Sequence, residues 1–480
     1  ATQIANLNQQ ISQLSAMAGG QPPNDLLDQR DQLVSELSKI VDVKVLETDT
    51  GKYNVFIGNG QSLVLGDRAA EVTGVTSASD PTRKSIAITG PAGNKVEVAD
   101  SVFTGGSLGG LMAFRAETLT PTQNAIGRLA IALGDTFNAQ HKLGVDLQGL
   151  LGQDFFSVAQ PGVFTNTHNA GDLKLGASIT DSGSLTTSDY KVQVKDVAGT
   201  PTYVVTRMSD NQVVANSTGF PIDFDGVRLD SAGGTAAAGD SFLVQPTRTG
   251  ARDVDVLVRD PAKVAAASPV VTGSAAGNMG TGSISSATIG AGYGATPLAA
   301  NVTLAYDAAT GTLSGFPAGS AVTVTAADGT VNTYAAGTPV PYSAGAAISF
   351  DGISVTLKGA PAQGDTFTIS KNVAGVSDGS NALLLGALQR QTTIGGGTST
   401  FNGAYAQLVS EVGNRAMEVQ VASKTQDSLA TQIRASQQSV SGVNQDEETG
   451  NLLMFQQMYQ ANAKVIQTAQ AMFDAILGIG

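Results

Sequence analysis

The chain has 480 residues, a formal net charge of −13, only 14% charged residues, and no cysteine. The absence of cysteine excludes disulfides, thiolate metal sites and cysteine nucleophiles. Acidity without clustered lysine or arginine argues against a nucleic-acid partner, and no run of about 18 apolar residues predicts a membrane span.

The first segment predicts two helices separated by a glycine- and proline-rich break. Apolar residues at helical spacing give the first helix a seam for a partner helix; they are Ile4, Leu7, Ile11 and Leu14. The second helix is predicted to begin near Asn24, with acids in its first turn. Because the helical pattern is already running at Ala1, we expect the sequence to be truncated at its N-terminus.

Alternating apolar residues then predict strands around 43–45, 53–57, 86–88 and 96–98. Asn59-Gly60 predicts a hairpin turn, because both residues tolerate positive φ. A helix is predicted from about Leu108 to about Phe137, broken or bent at Pro121.

From about 155 to 375 the sequence is typical of strands and turns, and it contains an internal repeat. Phe224-Asp225-Gly226-Val227 is followed by Gly239-Asp240-Ser241-Phe242, and Phe350-Asp351-Gly352-Ile353 by Gly364-Asp365-Thr366-Phe367. Each copy predicts a strand, an Asp-Gly turn, a second strand and a Gly-Asp turn. We therefore expect two related β domains.

The C-terminal region predicts two long helices. A heptad register holds from 404 to 440, but its polar seam positions favour packing in a bundle within its own domain. A last helix is predicted from Asn444, with Glu447 completing a capping box. Its apolar surface is too broad to be left uncovered, which predicts an assembly surface. The residues expected to form it are Leu452, Leu453, Phe455, Tyr459, Val465, Ile466, Met472, Phe473, Ile476 and Leu477.

Several motifs together resemble the flagellar hook-associated proteins of the hook–filament junction, the FlgK family. The most specific lie at 441–448, 455–463 and 473–474, and others at 24–31, 54–60, 105–110 and 137–141. The resemblance implies a structural subunit of the bacterial flagellum that self-assembles through its terminal helices, without enzymatic activity or cofactor. It also implies secretion through the flagellar type III export pathway and an extracellular location on the flagellum. The implied partners are a ring of its own copies, the hook protein, the second hook–filament junction protein, and an export chaperone on the C-terminal helix.

With this resemblance the predicted fold class is α+β multidomain. Terminal helices are expected in a coiled-coil or helical-bundle domain with strands, and two all-β domains are expected to project from it. The expected boundaries are a discontinuous inner domain at 1–180 and 376–480, β domains at 181–268 and 269–375, and an assembly helix at 444–477.

Two other functions remain open from the sequence. The β domains could bind a surface ligand, as in an adhesin. Gly105-Gly106-Ser107-Leu108-Gly109 matches the G-x-S-x-G nucleophile elbow of hydrolases, with His141 or His168 as base and Asp135 as acid. A glycine-rich turn before a helix explains the same residues without chemistry, and we prefer it. Asp223 and Asp225 lack the spacing of a calcium loop, and Asp253 and Asp255 are expected on the outward face of a strand.

Overall fold

The computed structural model describes residues 1–17, 23–90, 93–373, 375–441 and 445–477, without the side chains of 440, 441 and 474–477. The chain divides into a first unit, Ala1–Val409, and a second unit, Ser410–Gly480. Long helices and several antiparallel sheets confirm the predicted α+β multidomain class.

The first unit opens with two helices and two small sheets. The elements are α1 (Thr2–Met17), α2 (Asn24–Ile40), β1 (Val43–Glu47), β2 (Tyr53–Ile57), β3 (Gln61–Leu65), β4 (Arg68–Ala69), β5 (Val72–Thr76), β6 (Lys84–Thr89) and β7 (Lys95–Val98). Strands β1 to β4 form one antiparallel sheet in chain order, and β5 to β7 form another. The predicted hairpin at Asn59-Gly60 is confirmed between β2 and β3.

A buried arginine joins the two helices to the sheet. Arg30 is 1% exposed, and its guanidinium lies 3.3 Å from the ring centroid of Tyr53. It donates to the carbonyl of Gly51 at 2.7 Å and to Asn8 Oδ1 at 3.2 Å. Asn8 in turn donates to the carbonyl of Tyr53 at 2.7 Å. The cation is thus stabilised by a ring face and by neutral acceptors.

The helical run predicted over 108–137 is longer than expected, and its irregular stretch comes before Pro121, where the break was predicted. It comprises α3 (Gly106–Phe114), a π-helical stretch (Arg115–Leu119) and α4 (Thr120–His141). Pro121 lies in the first turn of α4, and the irregularity precedes it. A proline lacks the N–H that would bond one turn back, so the ladder is disturbed on its N-terminal side.

The first β domain comprises two antiparallel sheets and is followed by a short helix. Its strands are β8 (Gly162–Thr165), β9 (Leu175–Ile179), β10 (Tyr190–Val197), β11 (Thr200–Arg207), β12 (Val213–Ser217), β13 (Ile222–Phe224), β14 (Val227–Ser231) and β15 (Ser241–Gln245), followed by α5 (Gly250–Asp253). The sheet orders are β12-β11-β10-β15-β8 and β13-β14-β9. The boundary predicted at 181 falls inside this domain, because β8 pairs with β15 and β9 with β14.

The second β domain repeats this plan with an added hairpin. Its strands are β16 (Val270–Ser274), β17 (Ser283–Ile284), β18 (Thr288–Ile289), β19 (Val302–Asp307), β20 (Thr312–Ser314), β21 (Val322–Thr325), β22 (Val331–Tyr334), β23 (Val340–Pro341), β24 (Ala347–Phe350), β25 (Ile353–Lys358) and β26 (Thr366–Lys371). The sheet orders are β16-β26-β19-β20-β23 and β17-β25-β24-β21-β22, with β18 also on β25. The hairpin β21–β22 has no counterpart in the described part of the first domain.

The repeated Asp-Gly pairs form equivalent turns, between β13 and β14 and between β24 and β25. Asp225 and Gly226 have φ of 43° and 77°, and Asp351 and Gly352 have φ of 46° and 74°. A Cβ on Gly226 would lie 2.1 Å from the carbonyl oxygen of Asp181. Positive φ and close packing together require glycine there.

The repeated Gly-Asp pairs also anchor equivalent loops. In the first domain Asp240 accepts the N–H groups of Ala170, Gly171 and Ala237 at 2.8 to 3.2 Å. Asn169 and Ser241 exchange two hydrogen bonds beside it, at 2.9 and 3.0 Å.

The second domain reproduces this arrangement. Asp365 accepts the N–H groups of Met279, Gly280 and Ala362 at 2.8 to 3.0 Å. Asn278 exchanges two bonds at 2.9 Å with Thr366. The two related β domains predicted from the repeat are therefore confirmed in strand order and in hydrogen bonding.

The remaining helices are α6 (Ser380–Ala387), α7 (Phe401–Ser441) and α8 (Gln445–Leu477). The start of α7 packs in the first unit, where Ala404 joins Ala132 and Ile394 in a small core. In the described side chains of α7 from Ser410 onward, only Val412 and Arg415 are half-buried, and the others are exposed. The packing expected for this seam within its own domain is therefore not seen in the described part of the helix, because its many polar positions can stay in contact with water.

Candidate assembly surface

Helix α8 begins with Asp446, Glu447 and Glu448 in its first turn. Negative charge there is stabilised by the helix dipole and fixes the start of the helix. The predicted cap at Asn444 lies outside the described residues. From Thr449 to Phe473 the sequence contains a single charged residue, Lys464.

Two apolar stripes run along α8. Seven-residue steps place Leu452, Tyr459, Ile466 and Phe473 on one line, and Met458, Val465 and Met472 on another. At 3.6 residues per turn the two lines lie roughly 100° apart. The apolar surface is therefore broad enough to contact more than one neighbour.

The predicted assembly residues whose side chains are described are all exposed. They are Leu452, Leu453, Phe455, Tyr459, Val465, Ile466, Met472 and Phe473, with exposed fractions between 53% and 77%. Ile476 and Leu477 lie within the bounds of α8, but their side chains are outside the described part. Covering a large apolar side chain contributes about 1.5–3 kcal/mol before the costs of association.

A second exposed apolar seam lies on α4, which the sequence patterns did not single out as a surface. Leu119, just before α4, and Ile126 and Leu133 within it are spaced by seven residues and are 40–44% exposed. The opposite side is buried and includes Asn124, Ile131 and Asn138. Periodicity predicted the helix, but not which of its sides faces the first β domain.

The hydrolase motif does not form a catalytic triad. Ser107 is exposed in the first turn of α3, and in the described structure it has no hydrogen bond to a histidine. His141 is fully buried, with Nδ1 at 2.7 Å from the carbonyl oxygen of Gln153 and Nε2 accepting the N–H of Ala265 at 2.9 Å. Both ring nitrogens are therefore engaged by the backbone.

The other parts of that motif have structural partners as well. Asp135 accepts a hydrogen bond from Ser182 at 2.6 Å. Gly106 has a φ of 59°, and a Cβ there would lie 2.6 Å from the carbonyl oxygen of Ile40. Close packing of the turn against the end of α2 explains the glycines without chemistry.

The acidic residues considered for calcium are paired with arginines. Asp223 binds Arg228 at 2.8 Å, and this hydrogen bond lowers the pKa of the Asp223 carboxyl below its ordinary value. Asp225 binds Arg207 at 2.6 Å and thereby raises the pKa of that guanidinium. Within the described ranges no group of three or more acidic or histidine side chains could hold a metal ion.

The expectation for Asp253 and Asp255 was wrong in part. Asp253 ends the four-residue helix α5 and pairs with Arg252, so it is not on a strand. Asp255 is also outside any named strand, although it is exposed as expected, and it pairs with Arg259 at 3.2 Å.

None of the helices within the described ranges has the length and apolar character needed to cross a membrane. Models of known protein families match this sequence along most of its length. The flagellar hook-associated protein FlgK helical domain matches residues 1–156, and the D2-like and D3 domains of flagellar hook-associated protein 1 match 164–246 and 269–371. The C-terminal family of the flagellar basal body rod proteins FlgEFG matches 436–479, which includes α8.

Individual relatives agree with these families. Flagellar hook-associated protein 1 of Escherichia coli K12 is 35% identical over 487 residues, covering all of this chain and 68% of the relative. The Salmonella typhimurium protein is also 35% identical, with 69% of its length covered. The solved structure of the flagellar hook junction protein FlgK from Burkholderia pseudomallei is 39% identical with a TM-score of 0.84, covering 92% of this chain and 82% of that one.

These similarities confirm the resemblance seen in the sequence motifs and favour a structural role over the adhesin alternative, for which they give no support. The chain belongs to the flagellar hook-associated protein 1 family and is a structural component of the flagellar hook–filament junction.

Proposed function

We propose that this protein builds the hook–filament junction by self-association through α8, as one ring of identical subunits. The observation that carries this proposal is the exposed, almost uncharged apolar surface between Leu452 and Phe473. Contiguous apolar surface of this kind marks a contact with another protein. Its two stripes suit a position between two neighbouring helices.

We further propose the hook protein and the second hook–filament junction protein as partners on the two sides of the ring. Before export, a chaperone would cover α8, because a free helix of this composition would associate non-specifically in the cytoplasm. The absence of cysteine supports export as an unfolded chain, since no disulfide can obstruct threading. The mature protein would then act outside the cell.

We propose that the protein has no enzymatic activity and needs no cofactor. The hydrogen bonds of His141 and Asp135 support this, because they engage one of the two candidate bases and the candidate acid that the nucleophile Ser107 would need.

For the domain organisation, we propose an inner domain formed from both ends of the chain and two inserted β domains. The first would begin near residue 162, where β8 starts, and the second would occupy 269–375, where β16 and β26 pair at its base.

The test introduces charge on one side of α8 and compares it with the same charge on another side. Tyr459, Ile466 and Phe473 are changed together to glutamate, and the matched control changes Gln457, Ala461 and Thr468 to glutamate on the opposite side of the helix. All six lie in the stretch of the same helix whose single charge is Lys464. In a strain lacking the protein, the apolar-side variant should be secreted but absent from isolated flagella. The control variant should be incorporated, and equal incorporation of the two variants would refute assembly through this surface.

A further inference from the structure

The second β domain has a core of its own. The buried apolar side chains of this core all come from residues 270–369, and among the described, partly buried apolar side chains that pack against them Leu151 alone comes from outside. The chain enters the domain after Ser268 and leaves it at Asn372. The position of the domain therefore depends on how these two crossings are held.

A hydrogen-bonded clasp holds the two crossings together. The Asn372 N–H donates to the carbonyl of Pro269 at 2.9 Å. The side-chain Nδ2 of Asn372 donates to the carbonyl of Ser268 at 2.9 Å and to Asp378 Oδ2 at 3.0 Å. Asp378 Oδ2 also accepts the Ser268 N–H at 2.9 Å. One carboxylate oxygen thus binds both the segment that enters the domain and the segment that leaves it.

The other oxygen of Asp378 binds the start of α6. Oδ1 accepts the N–H and the hydroxyl of Ser380 at 2.9 and 2.6 Å. Within the first unit, Asn381 holds helix α6 in place. It donates to the carbonyl of Ala265 at 2.6 Å and accepts from Gln140 of α4 at 2.7 Å. The carboxylate of Asp378 therefore links the base of the second β domain to a helix packed on α4.

From this geometry we infer that Asp378 is a positioning residue that sets the orientation of the second β domain on the rest of the first unit. Four donors fill the acceptor sites of its carboxylate. Such charge-assisted hydrogen bonds are shorter and stronger than neutral ones, so they restrict how the bonded segments can move. The buried core of the domain lies elsewhere, so loss of the clasp should free the domain to rotate without unfolding it. This inference does not depend on assembly through α8.

The chain contains no cysteine, which allows clean site-specific spin labelling. Exposed Met279 in the second β domain and exposed Met208 in the first are changed to cysteine and labelled. Electron–electron double resonance then gives the distribution of distances between the two β domains. The intact clasp should give one narrow distribution.

Two variants test the clasp from its two side chains. Asp378→Ala removes the shared acceptor, and Asn372→Asp keeps the size of the side chain but places a second carboxylate against Asp378. Each should replace the narrow distribution with a broad one, while hydrogen-exchange protection inside the second β domain stays at the parent level. Ser380→Ala, which keeps both Oδ2 bonds and the backbone N–H bond to Oδ1, should keep a distribution close to that of the parent.

An unchanged narrow distribution in Asn372→Asp would overturn the inference, whether or not Asp378→Ala folds. Loss of exchange protection throughout the domain in both variants would also overturn it, because the clasp would then be part of the folding core.

Discussion

Phe242 and Phe367 end the two Gly-Asp-Ser/Thr-Phe sequences and provide the sharpest test of the duplicated β architecture. They lie at equivalent positions, β15 and β26, and are 2% and 0% exposed. Each belongs to a separate buried core, since Phe242 packs within the first β domain and Phe367 within the second. Replacing either by alanine should destabilise its own domain by about 3–5 kcal/mol, which is the usual cost of emptying a fully buried phenylalanine site.

The assay is urea-dependent hydrogen exchange followed by mass spectrometry, which reports protection for each domain separately. Phe242→Ala should lower protection in 162–245, and Phe367→Ala in 270–371. Because the two sites share no core partner, the double variant should show the sum of the single effects. Val271→Ala, at a half-exposed position of β16, serves as a control and should change little. A loss under about 1 kcal/mol, or an equal loss in both domains from one substitution, would show that the two phenylalanines do not support separate cores.

Three further predictions concern Ser107, Arg30 and the paired carboxylates Asp240 and Asp365. Ser107→Ala should leave secretion and incorporation unchanged, and loss of a hydrolytic activity on that change would contradict the structural interpretation of its turn. Arg30→Met should destabilise the α1–α2 region by about 2–4 kcal/mol. It removes the cation–π contact with Tyr53 and the hydrogen bonds to the Gly51 carbonyl and to Asn8 Oδ1. Arg30→Lys should lower the melting temperature less than Arg30→Met does. If both variants melt at the same temperature as the parent, the guanidinium does not stabilise this region. Burial alone would raise the pKa of Asp240, but hydrogen bonds from three backbone N–H groups outweigh burial, and the pKa is lowered. The pKa of Asp365 is lowered as well, chiefly by the hydrogen bond from the N–H of Ala362. The stabilisation should therefore be present above the ordinary carboxyl pKa and be lost as the pH falls through the lowered value. Asn substitutions at Asp240 and Asp365 should flatten this acid dependence of the unfolding midpoint, and an unaltered dependence would refute it.

Local sequence patterns predicted the elements whose cause is local. The three- and four-residue spacing in 4–14 predicted α1, and alternation predicted β2 and β6. The repeated Asp-Gly and Gly-Asp pairs predicted equivalent turns, because few other residues adopt the positive φ that these turns need. The broad apolar surface of α8 could also be predicted from the sequence, since periodicity and charge depletion are properties of one segment.

Features set by distant contacts could not be predicted in this way. The clasp at Asp378 joins residues 110 positions apart, and the site of Arg30 depends on a ring from another element. The first β domain begins before residue 181 because β8 and β9 pair with strands more than 45 residues later. The exposed seam on α4 depends on which side of the helix packs against the first β domain.

Electron microscopy of labelled flagella can show directly whether this protein occupies the junction between hook and filament. A cysteine at exposed Met279 can carry a gold label without competing thiols in the chain. In a strain that produces only this labelled protein, we expect gold at a single narrow band between hook and filament. We also expect detached filaments when the protein is removed. Label along the whole filament or on the cell surface, or normal attached filaments without the protein, would exclude a place at the junction.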